Sequence, residues 1–470
     1  MASVNGCNNF PIRVVSRQMV KASDPSIKTH ILAVSNLDLV PQSLPIAMVC
    51  IYSRAPTAGG VNDVTASFEA GLPSLLNHYF PLAGRIVTNP SSGLPEIHCN
   101  NHGAELVVGE AGVSLASLDY DAMNVSLRKV LLPCGGQDVA LSVQLVSFAC
   151  GGFTVAWRSN HLVVDGTALT SLVGAWSELA RSGGTLAAGA RPNHDRSVFR
   201  PRATPAYSAS LDKAFTPLDA RWQVNVLTTS ESFVQRFYYI DASDIARLRD
   251  LASRDGGERV TRVQALSAYL WKALAGVVGA ADARCRMGWW VNGRPRLTAP
   301  ELRDATRNYV GNLITLVERE VSVQEVQRMP LPEVAAMARE AIAAPAYEEH
   351  FQELVDWVEL HKTRRYMKTT NLGLGSPTLV LSPITSFPVD TDFGFGSAVI
   401  ALPVTMPAAR MCTGFVQTLA KPGSDGSWIA AAVLWPRLAA ALEADEPRIF
   451  RPLTAEYLGL FAPQLKRGRL

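Results

Sequence analysis

The sequence predicts an α/β protein built as two domains, on three observations. Segments that alternate in the β manner are interleaved with segments of helical spacing along the chain. At 470 residues the chain exceeds the size at which one core keeps growing. A single seam, between about Arg181 and Trp222, gathers Gly, Pro and Ser in Ser182-Gly183-Gly184, Arg191-Pro192-Asn193 and Arg200-Pro201-Arg202-Ala203-Thr204-Pro205. Such a stretch is the composition of a crossover between domains.

In chain order, a helical pattern first runs over about Ser67 to Tyr79. Gly152-Phe153-Thr154-Val155-Ala156-Trp157 alternates as a strand and leads into Ser159-Asn160-His161-Leu162-Val163-Val164-Asp165-Gly166, after which Thr167-Ala168-Leu169-Thr170 opens a helix. His161 therefore sits at a strand-to-helix junction, where a side chain meets substrate, and an imidazole titrating near 6.5 can act there as a base. The H-x-x-x-D spacing occurs once in the chain and is weak alone. Beyond the seam, Thr261 to Leu274 is an amphipathic helix with Val263, Leu266, Leu270 and Trp271 at helical spacing. The β-rich run Thr378-Leu379-Val380-Leu381-Ser382 precedes the glycine-spaced loop Thr391-Asp392-Phe393-Gly394-Phe395-Gly396. Gly394 and Gly396 permit positive φ or close backbone approach, and Phe393 and Phe395 read as packing residues. A phosphate cradle is the weaker reading, since no Lys-Ser/Thr follows.

Composition fits a soluble enzyme. Apolar residues make up 48% of the chain, and the net charge of +3 comes without a basic stripe, so no nucleic-acid partner is expected. No apolar stretch reaches about 18 residues and Met1 to Cys7 lacks a secretory pattern, which predicts a cytoplasmic protein without a membrane partner. Seven cysteines without C-x-x-C pairing read as reduced structural thiols, and no metal site is expected. The sequon Asn124-Val125-Ser126 is then silent, and Gly468-Arg469-Leu470 is a poor match to a peroxisomal address.

The His161 run and the Asp392 loop together resemble the BAHD family of plant acyl-CoA-dependent acyltransferases, whose marks are H-x-x-x-D-G and D-F-G-W-G. The resemblance extends to Asn77-His78-Tyr79-Phe80-Pro81-Leu82-Ala83-Gly84-Arg85, to Val291-Asn292-Gly293-Arg294-Pro295-Arg296-Leu297 and to Asn308-Tyr309-Val310-Gly311-Asn312. Val20 to Pro25, Ser35 to Asp38 and Leu354 to Glu359 further resemble a subgroup related to coniferyl alcohol and hydroxycinnamoyl acyltransferases. This resemblance implies two chloramphenicol-acetyltransferase-like domains of mixed sheets flanked by helices, with the active site in a tunnel between them. The expected division is residues 1–185, joined again by about 391–411, a crossover at 186–222, and residues 223–470.

The resemblance also implies roles. His161 is the general base and attack on the thioester is direct, without an acyl-enzyme. Asp165 points away from substrate and pairs with Arg294, fixing the loop that carries His161. Asp392, Gly394 and Gly396 are structural. Thr261 and Arg262 match a CoA-binding position, and Ser35, Leu37, Asp38 and Phe387 an acceptor pocket. Phe395 and Phe387 stand where relatives carry tryptophan, so Thr385 and backbone amides are left as candidates to hold the oxyanion. The expected co-substrate is acyl-CoA, with no resident cofactor, and the acceptor is the hydroxyl of a metabolite such as an aromatic alcohol. The expected enzyme is a monomer. An N-acyltransferase, a condensation-type domain of a peptide synthetase and a non-catalytic paralogue are the alternatives; against the condensation domain stand the Asp392 loop and the lack of a carrier module.

Overall fold

A computed structural model describes residues 12–461 apart from 42–43, 55–58, 123–125, 128–129, 183–184, 219–222, 230–231, 255–256, 258, 388–391, 406–411, 424 and 447. Asn124, Cys7, Thr391 and the C-terminal tripeptide lie outside the described residues.

Two mixed sheets organise the chain. The first runs Ile12–Val20, Ala104–Ala111, Leu141–Phe148, Phe153–Asn160, Pro45–Tyr52, Ile400–Thr405 in spatial order, and only its Ala104–Ala111 and Leu141–Phe148 neighbours are parallel. The second runs Ile314–Ser322, Arg284–Asn292, Thr378–Pro383, Gly414–Ala420, Trp428–Leu434, Val234–Ile240, Arg451–Pro452. Thr378–Pro383 lies parallel to both of its neighbours. Smaller two- and three-stranded sheets complete the β structure.

The strand period of two decides what each face meets. Along Pro45–Tyr52, Met48, Cys50 and Tyr52 face one way and pack with Val155 and Trp157 against the helices Val61–His78 and Gly166–Ser182. Ala47, Val49 and Ile51 face the other way and join Phe237, Tyr239 and Ile429 of the second sheet. The first sheet is thus sandwiched between its helices and the second sheet, and each fully buried Val, Leu or Ile contributes about 1.5–3 kcal/mol. Around the second sheet, the helices Arg262–Val278, Leu331–Ala343 and Tyr347–His361 bury Trp271, Val334, Phe351 and Trp357 in a third cluster.

The sequence-based elements recur with shifted ends. The helix expected over Ser67–Tyr79 begins earlier, at Val61, and accommodates Pro73. The helix expected from Thr261 to Leu274 runs Arg262–Val278, with Thr261 outside it as the cap. The strand before His161 extends to Asn160. Between residues 186 and 218 the chain passes from one sheet to the other in short turns, a five-residue helix, Ser210–Ala214, and a three-residue strand, Phe215–Pro217, paired with Tyr366–Lys368.

Candidate active site

His161 follows the strand Phe153–Asn160 directly. The strand ends because Asn160 turns its side chain back to accept from Leu162 N at 3.0 Å, while its carbonyl accepts from Val163 N at 2.9 Å. Asp165 closes the turn by accepting from Ala168 N at 2.9 Å, a side-chain cap on the helix Gly166–Ser182. Gly166 lets the ring of Phe387 come close: a Cβ there would lie 3.1 Å from it, so that the ring would have to give by a few tenths of an ångström. The turn 384–387, which carries Thr385 and Phe387 after the strand Thr378–Pro383, is thereby set against the His161 loop.

The His161 ring is held by Asn312, a residue the role assignments left unused. His161 Nδ1 lies 2.8 Å from Asn312 Oδ1. Asn312 Nδ2 donates to Asp38 Oδ1 at 2.9 Å and to the His161 carbonyl at 2.6 Å, and both of these atoms are pure acceptors. The amide is therefore oriented with its oxygen toward the ring, and Nδ1 must carry the proton that it donates. Nε2 is left with its lone pair. Burial lowers the pKa of His161 below 6.5, with Asp165, Asn312 and Asp38 acting in the opposite direction, so the ring stays neutral at neutral pH.

The Asp165 carboxylate is fully buried and directed elsewhere. Its Oδ2 accepts from Arg294 Nη1 at 2.7 Å and from Leu313 N at 3.1 Å. Arg294 Nη2 donates to the carbonyls of Tyr309 and Gly311 at 2.9 and 3.0 Å. The pair thus ties the start of the helix Gly166–Ser182 to the segment leading into Asn312. Asp38, also fully buried, accepts from Ser35 N and Oγ at 2.7 and 2.8 Å, from Asn312 N at 2.9 Å, and from Arg196 Nη1.

The remaining candidates separate from this centre. Ser35 caps the short helix Asn36–Leu39 in a reciprocal capping box with Asp38, and Leu37 is 2% exposed in the core of the second sheet. Thr261 forms a capping box with Gln264, and the exposed Arg262 reaches the Gly426 carbonyl at 3.5 Å. The Asp392 loop is closed on itself: Asp392 Oδ1 accepts from Gly394 N at 2.8 Å and Gly396 N at 2.9 Å, with both glycines at φ +92°. Phe393 and Phe395 insert into a ring cluster with Tyr52, Phe68, Phe153, Trp157 and Trp176. Ser177 Oγ donates to the Asp392 carbonyl at 2.5 Å. The loop therefore braces the strand before His161 and the helix after it. A cavity of about 1010 Å³ adjoins Thr167, Asn292, Arg294 and Tyr309. Among the described residues no group of His, Cys, Asp and Glu could hold a metal ion, and no described helix is long and apolar enough to cross a membrane.

A neutral imidazole with an open Nε2, on a loop braced from both halves of the chain, is the arrangement a hydroxyl or amine needs when it gives up a proton in acyl transfer. The family described as the transferase family matches residues 10–446. The chain belongs to the BAHD acyltransferases. It is an acyl-CoA-dependent acyltransferase, as the members of this BAHD family are. Omega-hydroxypalmitate O-feruloyl transferase of Arabidopsis thaliana is 26% identical over 79% of this chain and 80% of its own length. Putrescine hydroxycinnamoyltransferase of Oryza sativa subsp. japonica is 26% identical over 85% of this chain and 92% of its own. The crystal structure of vinorine synthase superposes with a TM-score of 0.66 at 21% identity, covering 96% of this chain and 98% of the other. The two-domain fold of mixed sheets flanked by helices is the fold these acyltransferases share.

Proposed function

We propose that this BAHD acyltransferase moves a hydroxycinnamoyl group from its CoA thioester to the hydroxyl of a neutral alcohol, with His161 as the base. One observation carries the reading: the Asn312 amide fixes the proton on Nδ1 and leaves Nε2 open. In the reaction, Nε2 removes the acceptor's hydroxyl proton as the oxygen attacks the thioester carbonyl. The tetrahedral oxyanion then collapses, the C–S bond breaks, and the imidazolium returns the proton to the departing thiolate. The products are an ester and free CoA, with no bond formed to the protein. Base catalysis of this type contributes about 10²–10⁴-fold. The turn that Phe387 presses against Gly166 brings Thr385 and its neighbouring amides to the same loop, which supports them as oxyanion donors. One such donor is worth about 2.7–4 kcal/mol in the barrier.

The donor class is supported by the feruloyl and hydroxycinnamoyl relatives. The acceptor class is supported by charge. Asp38, the carboxylate among the residues expected in the acceptor pocket, is already taken by Ser35, Arg196 and Asn312, so a cationic polyamine would find no open anion there. The putrescine relative keeps amine transfer as the second reading, since the same base serves both. A thiol-release assay crossing feruloyl-, coumaroyl-, caffeoyl- and acetyl-CoA with long-chain alcohols, aromatic alcohols and putrescine, with His161→Ala as control, tests both. Release with hydroxycinnamoyl-CoA and an alcohol is the expected result. Release with putrescine alone would replace the alcohol reading by the amine one, and release by His161→Ala at the wild-type rate would remove the base assignment.

A further inference from the structure

His161 is reached through Asn312 by two groups remote in sequence and buried with it. Asp38 is on the N-terminal helix Asn36–Leu39, fully buried, and Arg196 is on the crossover segment with its side chain 4% exposed. They form an ion pair. Asp38 also holds Asn312, and Arg196 the His161 loop itself. Asp38 Oδ1 accepts from both the backbone N and the side-chain Nδ2 of Asn312, at 2.9 Å each, and Arg196 Nη2 donates to the Val163 carbonyl at 2.8 Å. Burying two charges is favourable only where geometry and further hydrogen bonds compensate their desolvation. Here those further bonds go to the residue that orients the imidazole and to the loop that carries it.

We infer that the buried pair Asp38–Arg196 is a positioning device for the reaction, locking the Asn312 amide so that His161 stays in the tautomer with Nε2 free. The inference rests on the reading of His161 as base and adds two residues to it, neither of which touches substrate. It differs from the Asp165–Arg294 pair, which holds the loop but not the amide that selects the tautomer. Two carboxylates act on His161 directly, Asp165 from its own loop and Asp38 from the N-terminal helix, and each is paired with a cation: Asp165 with Arg294 from the second half, Asp38 with Arg196 from the crossover. Removing one member should therefore tilt the field at His161 in one direction, and removing the other in the opposite direction.

The test measures kcat, KM and the acid limb of kcat/KM for Asp38→Asn, Arg196→Met and the double variant, in the full chain, with the donor and acceptor that release thiol with wild type. Asp38→Asn keeps an acceptor for Asn312 but leaves Arg196 unopposed, so its acid limb should move to lower pH; Arg196→Met leaves Asp38 unopposed, so its limb should move to higher pH. Both should lose about 10²-fold in kcat, the scale of a small misplacement of a reacting group, with KM within about threefold. Arg196→Lys, which keeps the charge, should recover part of the loss. A structural role alone would lower the melting temperature of all variants and leave the limb where it was, and that result overturns the inference. If the single variants do not fold, the double variant, which buries no lone charge, decides: a tenfold or greater fall in kcat at unchanged KM supports the inference and wild-type kcat overturns it. His161→Ala in the same assay separates the two levels, because an active His161→Ala removes the base reading, whereas an inactive one beside unaffected pair variants removes only this inference.

Discussion

The two motif loops contain the same kinds of residue and use them in opposite ways. In the His161 loop, Asp165 reaches out to a helix N-terminus, to Arg294 and to Leu313 N, joining three parts of the chain, and the imidazole is left with one open nitrogen. In the Asp392 loop, the carboxylate turns back on the amides of Gly394 and Gly396, and the side chains between them enter an aromatic cluster. Both loops hold an aspartate beside glycine, so residue type does not tell a loop that joins distant parts of the chain from one that closes on itself. The distinction lies in where each polar atom finds its partner: across distant parts of the chain in the first loop, within the turn itself in the second.

His161→Ala should break the contrast most sharply, with kcat lower by about 10²–10⁴-fold in a protein that still folds, the lost bond to Asn312 costing only about 1–3 kcal/mol. A loss of folding in place of activity would place His161 with the bracing residues. Asp165→Ala is expected next and in the other currency of measurement: leaving Arg294 buried without its partner should cost about 3–5 kcal/mol in denaturant unfolding. Asn312→Ala should reduce kcat by about 10²-fold, because nothing else then selects the tautomer, with a smaller change in KM. For Asp392→Ala, two backbone amides lose their acceptor and stability should fall by about 1–3 kcal/mol, while the folded fraction keeps wild-type kcat and an unchanged acid limb. A tenfold fall in kcat without unfolding would show that the second loop takes part in the reaction.

Acid acts through several rings, each by a smaller amount. Burial lowers His161 below 6.5 and takes His194 and His350 each to about 4. These groups are held below their unfolded value, so the unfolded chain binds more protons between about pH 6.5 and 4, and stability falls as pH drops through that window. At pH 5 His194 and His350 should each withdraw about 1–2 kcal/mol, and the acid limb of kcat/KM should lie below pH 6.5. A melting temperature that stays level from pH 7.5 to 5 would contradict the burial of these rings.

The strand before His161, the turn at Asn160 and the helix after Gly166 are legible in sequence because their signals are local: alternation, an Asn and Asp that bond two or three residues away, and helical spacing. The Asp392 loop is legible for the same reason. The family resemblance added the pairing of Asp165 with Arg294, which no spacing rule reaches. What stayed hidden is the polar network, because hydrogen bonds such as Asp38 to Asn312 join residues 274 apart in sequence. Asn312 lay in plain view at the end of the Asn308–Asn312 motif without a role. For Asp38 a local signal existed: Ser35-x-x-Asp38 is a capping-box pattern, which sets the carboxylate against the start of its own helix. Arg196 carried no signal, since a single arginine in a Pro- and Ser-rich crossover reads as solvated.

The return of Ile400–Thr405 to the edge of the first sheet governs how the molecule can be made. Of the two neighbours of Pro45–Tyr52, one arrives only when residue 405 has been added, some tens of seconds after the strand itself at ordinary elongation rates. Until then Val49, Cys50 and Ile51, all fully buried in the finished protein, sit beside an open strand edge. Completion of the first sheet is therefore a late, non-local step, and the strand edge it covers is open to wrong pairing until then. Truncating the chain before residue 400 would leave that edge open for good, so the late strand bears on how the molecule folds as well as on how it holds together.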